Sequence, residues 1–108
     1  MKLKEMRIKM VGMQYRNPSK IPEYNDTVKL VPEPDNPVDD KAIAIMNQLD
    51  EKIGYVASAN TVSRGNRKNG CIDNCQLLNQ INFDNDDYFA FISKVRDNIG
   101  FINVVVED

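Results

Sequence analysis

"LVPEPDNPVDDKAIAI", residues 30–45, decides how this chain is read. An apolar, strand-like run meets a turn holding three prolines, three aspartates and an asparagine, and an alternating run resumes at Ala42. A hairpin needs roughly two to five loop residues, for which Asn-Gly suffices. Pro32, Pro34 and Pro37 instead fix φ and lower the entropy of the unfolded chain. Asp35, Asn36 and Asp39 are residue types whose side chains accept from neighbouring backbone N–H groups as Asx-turns. One reading of the corner is therefore a scaffold, and another is a rigid frame that presents Asn36 and Asp39 to a ligand. A third is an acidic magnesium or calcium site from Glu33, Asp35, Asp39 and Asp40, without the glycine that an EF-hand loop requires.

Outward from the corner the pattern is that of strands. Residues 4–16, "KEMRIKMVGMQYR", place Met6, Ile8 and Met10 on one face and Arg7 and Lys9 on the other, then change parity at Gly12. This predicts one long strand bent at the glycine. "NPSKIPEYND", 17–26, reads as a loop. Strands are predicted at 27–31, 42–48 and 52–57, with a tight turn at 49–51. "YFAFISKV", 88–95, and "IGFINVVVE", 99–107, flank "RDN" as a hairpin rich in aromatic and β-branched residues. "CIDNCQLLNQI", 71–81, spaces Ile72, Cys75, Leu78 and Ile81 as the apolar face of a short helix. The fold class is mainly β with one or two short helices, a small, partly closed six-stranded barrel of OB type.

Composition narrows the function. With 42% hydrophobic and 28% charged residues over 108 positions, the chain supports one folded core, read as a single domain over 1–108. No apolar stretch reaches membrane length, and Lys2, Lys4, Glu5, Arg7 and Lys9 break up the N-terminal run, so a cytoplasmic protein without a membrane segment is expected. The chain has no histidine, which removes Ser-His-Asp and Cys-His nucleophiles, His bases and His-metal sites. Cys71 and Cys75 lack partners for a zinc site, and their spacing strains a disulfide within one helix; both are read as small apolar residues on its buried face. Charge is segregated. Residues 1–20 carry six basic and one acidic side chain, 21–63 three and eight, 64–68 three and none, and 69–108 two and seven. Arg64, Arg67 and Lys68 are thus candidates to contact phosphate.

"VGMQYRN" (11–17), "VKLVPEPDNPVDDKAIAI" (28–45) and "KIGYVA" (52–57) together resemble the HIRAN domain. Its recurring pattern is a V-G-x-x-Y strand, a strand ending in E/D-P-x-N-P-x-D-x-x-A-I-x-V, and an I-G-Y/H strand. The resemblance covers residues 8–57 in the same order, and "NTVSRG" (60–65) is similar to a segment of small bacterial members. It implies an OB-like barrel without catalytic activity, metal or cofactor. Its implied ligand is single-stranded DNA or its 3′ end in repair or replication processing, with a helicase or nuclease as partner enzyme. Carried onto this chain, the motif tyrosine is Tyr15, flanked by Gln14 and Arg16; the motif asparagine and aspartate are Asn36 and Asp39; and Tyr55 holds the I-G-Y position. Tyr15 and Tyr55 would stack bases, Asn36 would read a base or sugar edge, and Asp39, ionised and so only an acceptor, would sense a 3′-hydroxyl. Val38 stands where DNA-binding members often carry tyrosine, Asp35 where a neutral residue precedes the asparagine, and Gln14 where a basic residue is common. The alternative is a protein-interaction module that keeps the fold without binding DNA. A monomer is expected, with "FINVVVE" as the strand edge open to pairing.

Overall fold

The computed structural model of the protein describes residues 3–58, 70–83 and 88–107. In chain order the elements are β1 (Leu3–Val11), a 3-10 turn (Met13–Tyr15), β2 (Thr27–Pro32), β3 (Ile43–Met46), β4 (Lys52–Val56), β5 (Cys71–Ile72), a helix α1 (Asn74–Leu78), β6 (Tyr88–Arg96) and β7 (Ile99–Glu107). The strands lie in the order β4-β3-β2-β6-β7-β1-β5, and a further β4–β1 pairing closes six of them into a barrel. β5 adds outside that ring, parallel to β1. The expected OB-like β barrel is present, and its ring is closed.

Strand alternation fills the barrel. In β1 the inward side chains are Met6, Ile8 and Met10; in β7 they are Ile102, Val104 and Val106; Ala90 and Ile92 come from β6 and Ile43 and Ile45 from β3. Period two in the sequence thus becomes an interior packed with side chains rather than a channel. Closure is tight where β4 meets β1, with Met10 opposite Val56 and Val11 opposite Tyr55. A Cβ at Gly54 would lie 2.6 Å from Met10 Cγ and 2.8 Å from the Val11 carbonyl oxygen, so only glycine permits this approach.

Three expectations are corrected. The segment 4–16 is not one bent strand: β1 stops at Val11, Gly12 turns left-handed at φ 80°, and residues 13–15 form a 3-10 turn. A positive φ ends the ladder here, and Met13 then packs back on the core. The helix over 71–81 is also shorter. Cys71 and Ile72 pair with Arg7 and Ile8 of β1, and α1 occupies only Asn74–Leu78. Its buried side chains are Asn74 and Leu77, and of the two cysteines Cys71 is buried and Cys75 exposed. Long-range pairing to β1 outweighs the local helical spacing. Finally, β7 is no edge, since it pairs with β1 on one side and β6 on the other along its length.

Candidate nucleic-acid interface

The proline corner joins β2 to β3 and closes on itself through the hydrogen bonds expected of its residue types. Glu33 N donates to the Ala42 carbonyl at 2.8 Å, and Ala42 N to the Asp39 carbonyl at 3.0 Å. Asn36 Oδ1 accepts from Val38 N (2.9 Å) and Asp39 N (3.1 Å). Asp39 Oδ1 accepts from Lys41 N at 2.9 Å. Both side chains therefore act as Asx-turn acceptors. With Oδ1 doubly used and Nδ2 donating to Glu33 Oε1 (3.0 Å), Asn36 keeps one N–H to offer.

Asp39 is held from a second direction. Asn74, 2% exposed, donates from Nδ2 to Asp39 Oδ2 at 3.1 Å and to the Lys41 carbonyl at 3.0 Å. Asn74 is placed by the start of α1, where Asp73 and Gln76 form a reciprocal capping box. Each carboxylate oxygen of Asp39 thus carries one hydrogen bond and retains a lone pair.

Glu33 binds the corner to the barrel wall. Tyr55, paired with Val11 of β1 and Ala44 of β3, donates its hydroxyl to Glu33 Oε1 at 2.8 Å. Lys52 Nζ donates to the same hydroxyl at 2.8 Å and lies 2.6 Å from Glu33 Oε2. The Lys52 ammonium, with help from Asn36 and Tyr55, overcomes partial burial and lowers the Glu33 pKa from 4.5 to about 2. Glu33 and the Tyr55 hydroxyl in turn raise that of Lys52. This Glu33–Lys52–Tyr55 bracket is a clamp of opposite charges, not a proton-transfer pair.

The Arg16 guanidinium lies over the Tyr55 ring, 5.5 Å from its centroid, and Lys52 Nζ lies 4.9 Å from the centroid at the hydroxyl end. Arg16 Nε is buried without a hydrogen-bond partner among the described residues. Tyr15, one position earlier, is 79% exposed, because the 3-10 turn throws it outward while bringing Arg16 back. Beside this assembly is a groove of about 360 Å³ lined by apolar Val11, Val38, Ala42 and Val56 together with Asn36, Asp39 and Tyr55.

Of the residues expected from sequence, Asn36, Asp39 and Tyr55 line the groove and Arg16 packs on Tyr55. Gln14 and Tyr15 are exposed on the adjoining turn. Arg64, Arg67, Lys68 and the segment "NTVSRG" lie outside the described residues. Among the described residues no three Cys, Asp or Glu side chains converge to hold a metal, and the carboxylates Glu33 and Asp39 serve hydrogen bonds. Sequence reasoning missed three residues: Lys52, Asn74 and Glu33 as the centre of the bracket. Only Asn74 had a local signal, the Asp73-x-x-Gln76 capping box in "DNCQ".

Comparison with known proteins agrees with this architecture. A family model described as the HIRAN domain matches residues 3–71. The crystal structure of the HIRAN domain of human HLTF aligns over 94% of this chain and 74% of its own, with a TM-score of 0.65 and 16% identity. A crystal structure of a protein from Lactobacillus plantarum aligns over 98% of this chain and all of its own, with a TM-score of 0.57 and 16% identity. At that identity the two structures establish the fold. No curated protein matches the chain in sequence.

Proposed function

The chain belongs to the HIRAN domain family, and on that premise we propose that residues 1–108 form a single module that binds single-stranded DNA at its 3′ end. HIRAN domains are nucleic-acid-binding modules rather than catalysts. The observation that carries the finer reading is the groove, where an apolar floor is bordered by one free Asn36 N–H and by a rigid Asp39 carboxylate with lone pairs to spare. An ionised carboxylate accepts from a terminal hydroxyl and repels a terminal phosphate, so Asp39 reads the chemistry of the end.

Tyr15 supplies an exposed ring for stacking, worth about 1–3 kcal/mol per base. Tyr55 has a different part. Its hydroxyl is engaged by Glu33 and Lys52 and its ring by Arg16, so it forms the wall against which the end nucleotide sits. The Arg16 guanidinium, over the Tyr55 ring, brings a positive charge to the groove wall that suits a phosphate. Arg64, Arg67 and Lys68 add charge for the backbone. The module acts in DNA repair or replication processing, beside a helicase or nuclease, as a monomer in the cytoplasm.

Fluorescence anisotropy with labelled oligonucleotides ending in a 3′-hydroxyl or a 3′-phosphate tests this. Tighter binding to the hydroxyl end is expected, and equal binding to both overturns the role of Asp39. Val38, 93% exposed at the groove, favours the second reading, a protein-interaction module. Failure to bind either oligonucleotide at low salt establishes that second reading over the first.

A further inference from the structure

The outer wall of the barrel next to the groove carries a second concentration of charge. Lys9 of β1 pairs with Phe101 of β7, and Phe101 with Lys94 of β6, so two cations flank one ring across three adjacent strands. Arg7 lies two positions from Lys9 on the same face of β1. Arg7, Ser93, Lys94 and Phe101 line a cavity of about 170 Å³.

A bulge builds this arrangement. In β6 Ile92 pairs with Ile102, but the next pair is Lys94 with Phe101, leaving Ser93 as the extra residue. Strict alternation from buried Ile92 would aim Lys94 into the barrel. The bulge turns it to the outer face, where it is exposed, and Ser93 Oγ donates to the Phe101 carbonyl at 3.1 Å.

Among the described residues these cations make no ion pair. Ion pairs among the described residues join Lys20 to Asp26, Lys29 to Asp50 and Lys52 to Glu33. Arg7, Lys9 and Lys94 make none, although Lys9 is only 9% exposed. Glu5, the carboxylate on the same face of β1, is engaged by Asn103 Nδ2 at 2.8 Å. The wall is also continuous with the groove. Val11, two positions beyond Lys9, lines the groove and packs with Phe101 against Ala57 and Cys71.

We propose that exposed Arg7 and Lys94 beside the Phe101 ring, with nearly buried Lys9 adding positive charge behind it, form a track for the phosphates and one base of a single strand whose end occupies the groove. The proposal rests on the nucleic-acid reading above and extends its footprint beyond the terminal nucleotide. Cations alternating with an aromatic ring are the arrangement by which single strands are held without regard to sequence.

The test compares a trinucleotide with an oligothymidylate of about ten nucleotides across a salt series, for wild type and for the Arg7→Gln, Lys94→Gln double variant. Both substituted side chains are exposed, and thermal unfolding checks that the variant folds. The longer strand is expected to bind wild type more tightly and with a steeper salt dependence. The double variant should lower that slope by about 1.4, roughly 0.7 per lost phosphate, and leave trinucleotide affinity unchanged. An unchanged slope in the variant overturns the track while leaving the groove reading intact. If neither oligonucleotide binds wild type, the nucleic-acid reading falls and the track with it. Polyglutamate then binding wild type but not the variant would assign the patch to an acidic protein.

Discussion

Glu33→Gln removes one charge from the bracket while nearly preserving its shape. In wild type the carboxylate meets Lys52 at 2.6 Å, the Tyr55 hydroxyl at 2.8 Å and Asn36 Nδ2 at 3.0 Å. A pKa lowered from 4.5 to about 2 corresponds to about 3 kcal/mol if taken in full. The Lys52 and Glu33 side chains are 28% and 25% exposed, and solvent screens the pair, so the expected loss near neutral pH is about 1–2 kcal/mol. The sign with pH follows from the depressed folded value. The contribution is fully present above the unfolded pKa of 4.5 and is lost as pH falls through about 2. Lys52, whose pKa is raised, stays charged throughout the acid range. Urea unfolding of both proteins should therefore give a stability difference that is largest near pH 7 and has shrunk by about half near pH 3. Equal midpoints near pH 7, or a difference that does not change with pH, would refute the bracket.

Other outcomes are checked by simple measurements. Gly54→Ala places a methyl group 2.6 Å from Met10 Cγ and 2.8 Å from a backbone oxygen, so chemical unfolding should show a loss of about 1–3 kcal/mol. Asn74→Ala leaves Asp39 Oδ2 and the Lys41 carbonyl without their shared donor; it should cost about 1–3 kcal/mol and weaken the preference for 3′-hydroxyl ends in the anisotropy assay. Thiol labelling of the native protein should modify exposed Cys75 quickly and Cys71 only on unfolding, since Cys71 is buried and burial pushes its thiol pKa up.

The parts legible in the sequence are those with local causes. Alternation put Met6, Ile8 and Met10 on one face of β1, the face that is buried, and the β-branched run 99–107 was readable as the strand that supplies Ile102, Val104 and Val106 to the core. The corner was readable because proline and Asx side chains act on their own backbone, and Asn36 and Asp39 do so here. What escaped depends on partners distant in sequence. Cys71 and Ile72 fit a helical spacing, yet β1 claims them as a strand. Gly12 marked a change of direction, but whether the chain bends or stops there depends on its φ of 80° and on where Met13 can pack. Glu33 looked like one more negative charge beside the corner. Its meeting with Lys52 and Tyr55 requires β3, paired with β2 on one side and β4 on the other, to bring the end of β2 level with Tyr55, a matter of register that no short motif encodes. The bulge at Ser93 was equally silent, although it decides which way Lys94 faces.

Amide NMR of the labelled protein, titrated with a short single-stranded oligonucleotide bearing a 3′-hydroxyl, tests the central claim most directly. Shifts are expected to centre on the Asn36 side-chain NH2 group and on the amides of Val11, Val38, Asp39, Ala42, Tyr55 and Val56 around the groove. Shifts confined to another face, or none at saturating oligonucleotide, would contradict the assignment of this corner as the DNA-end site.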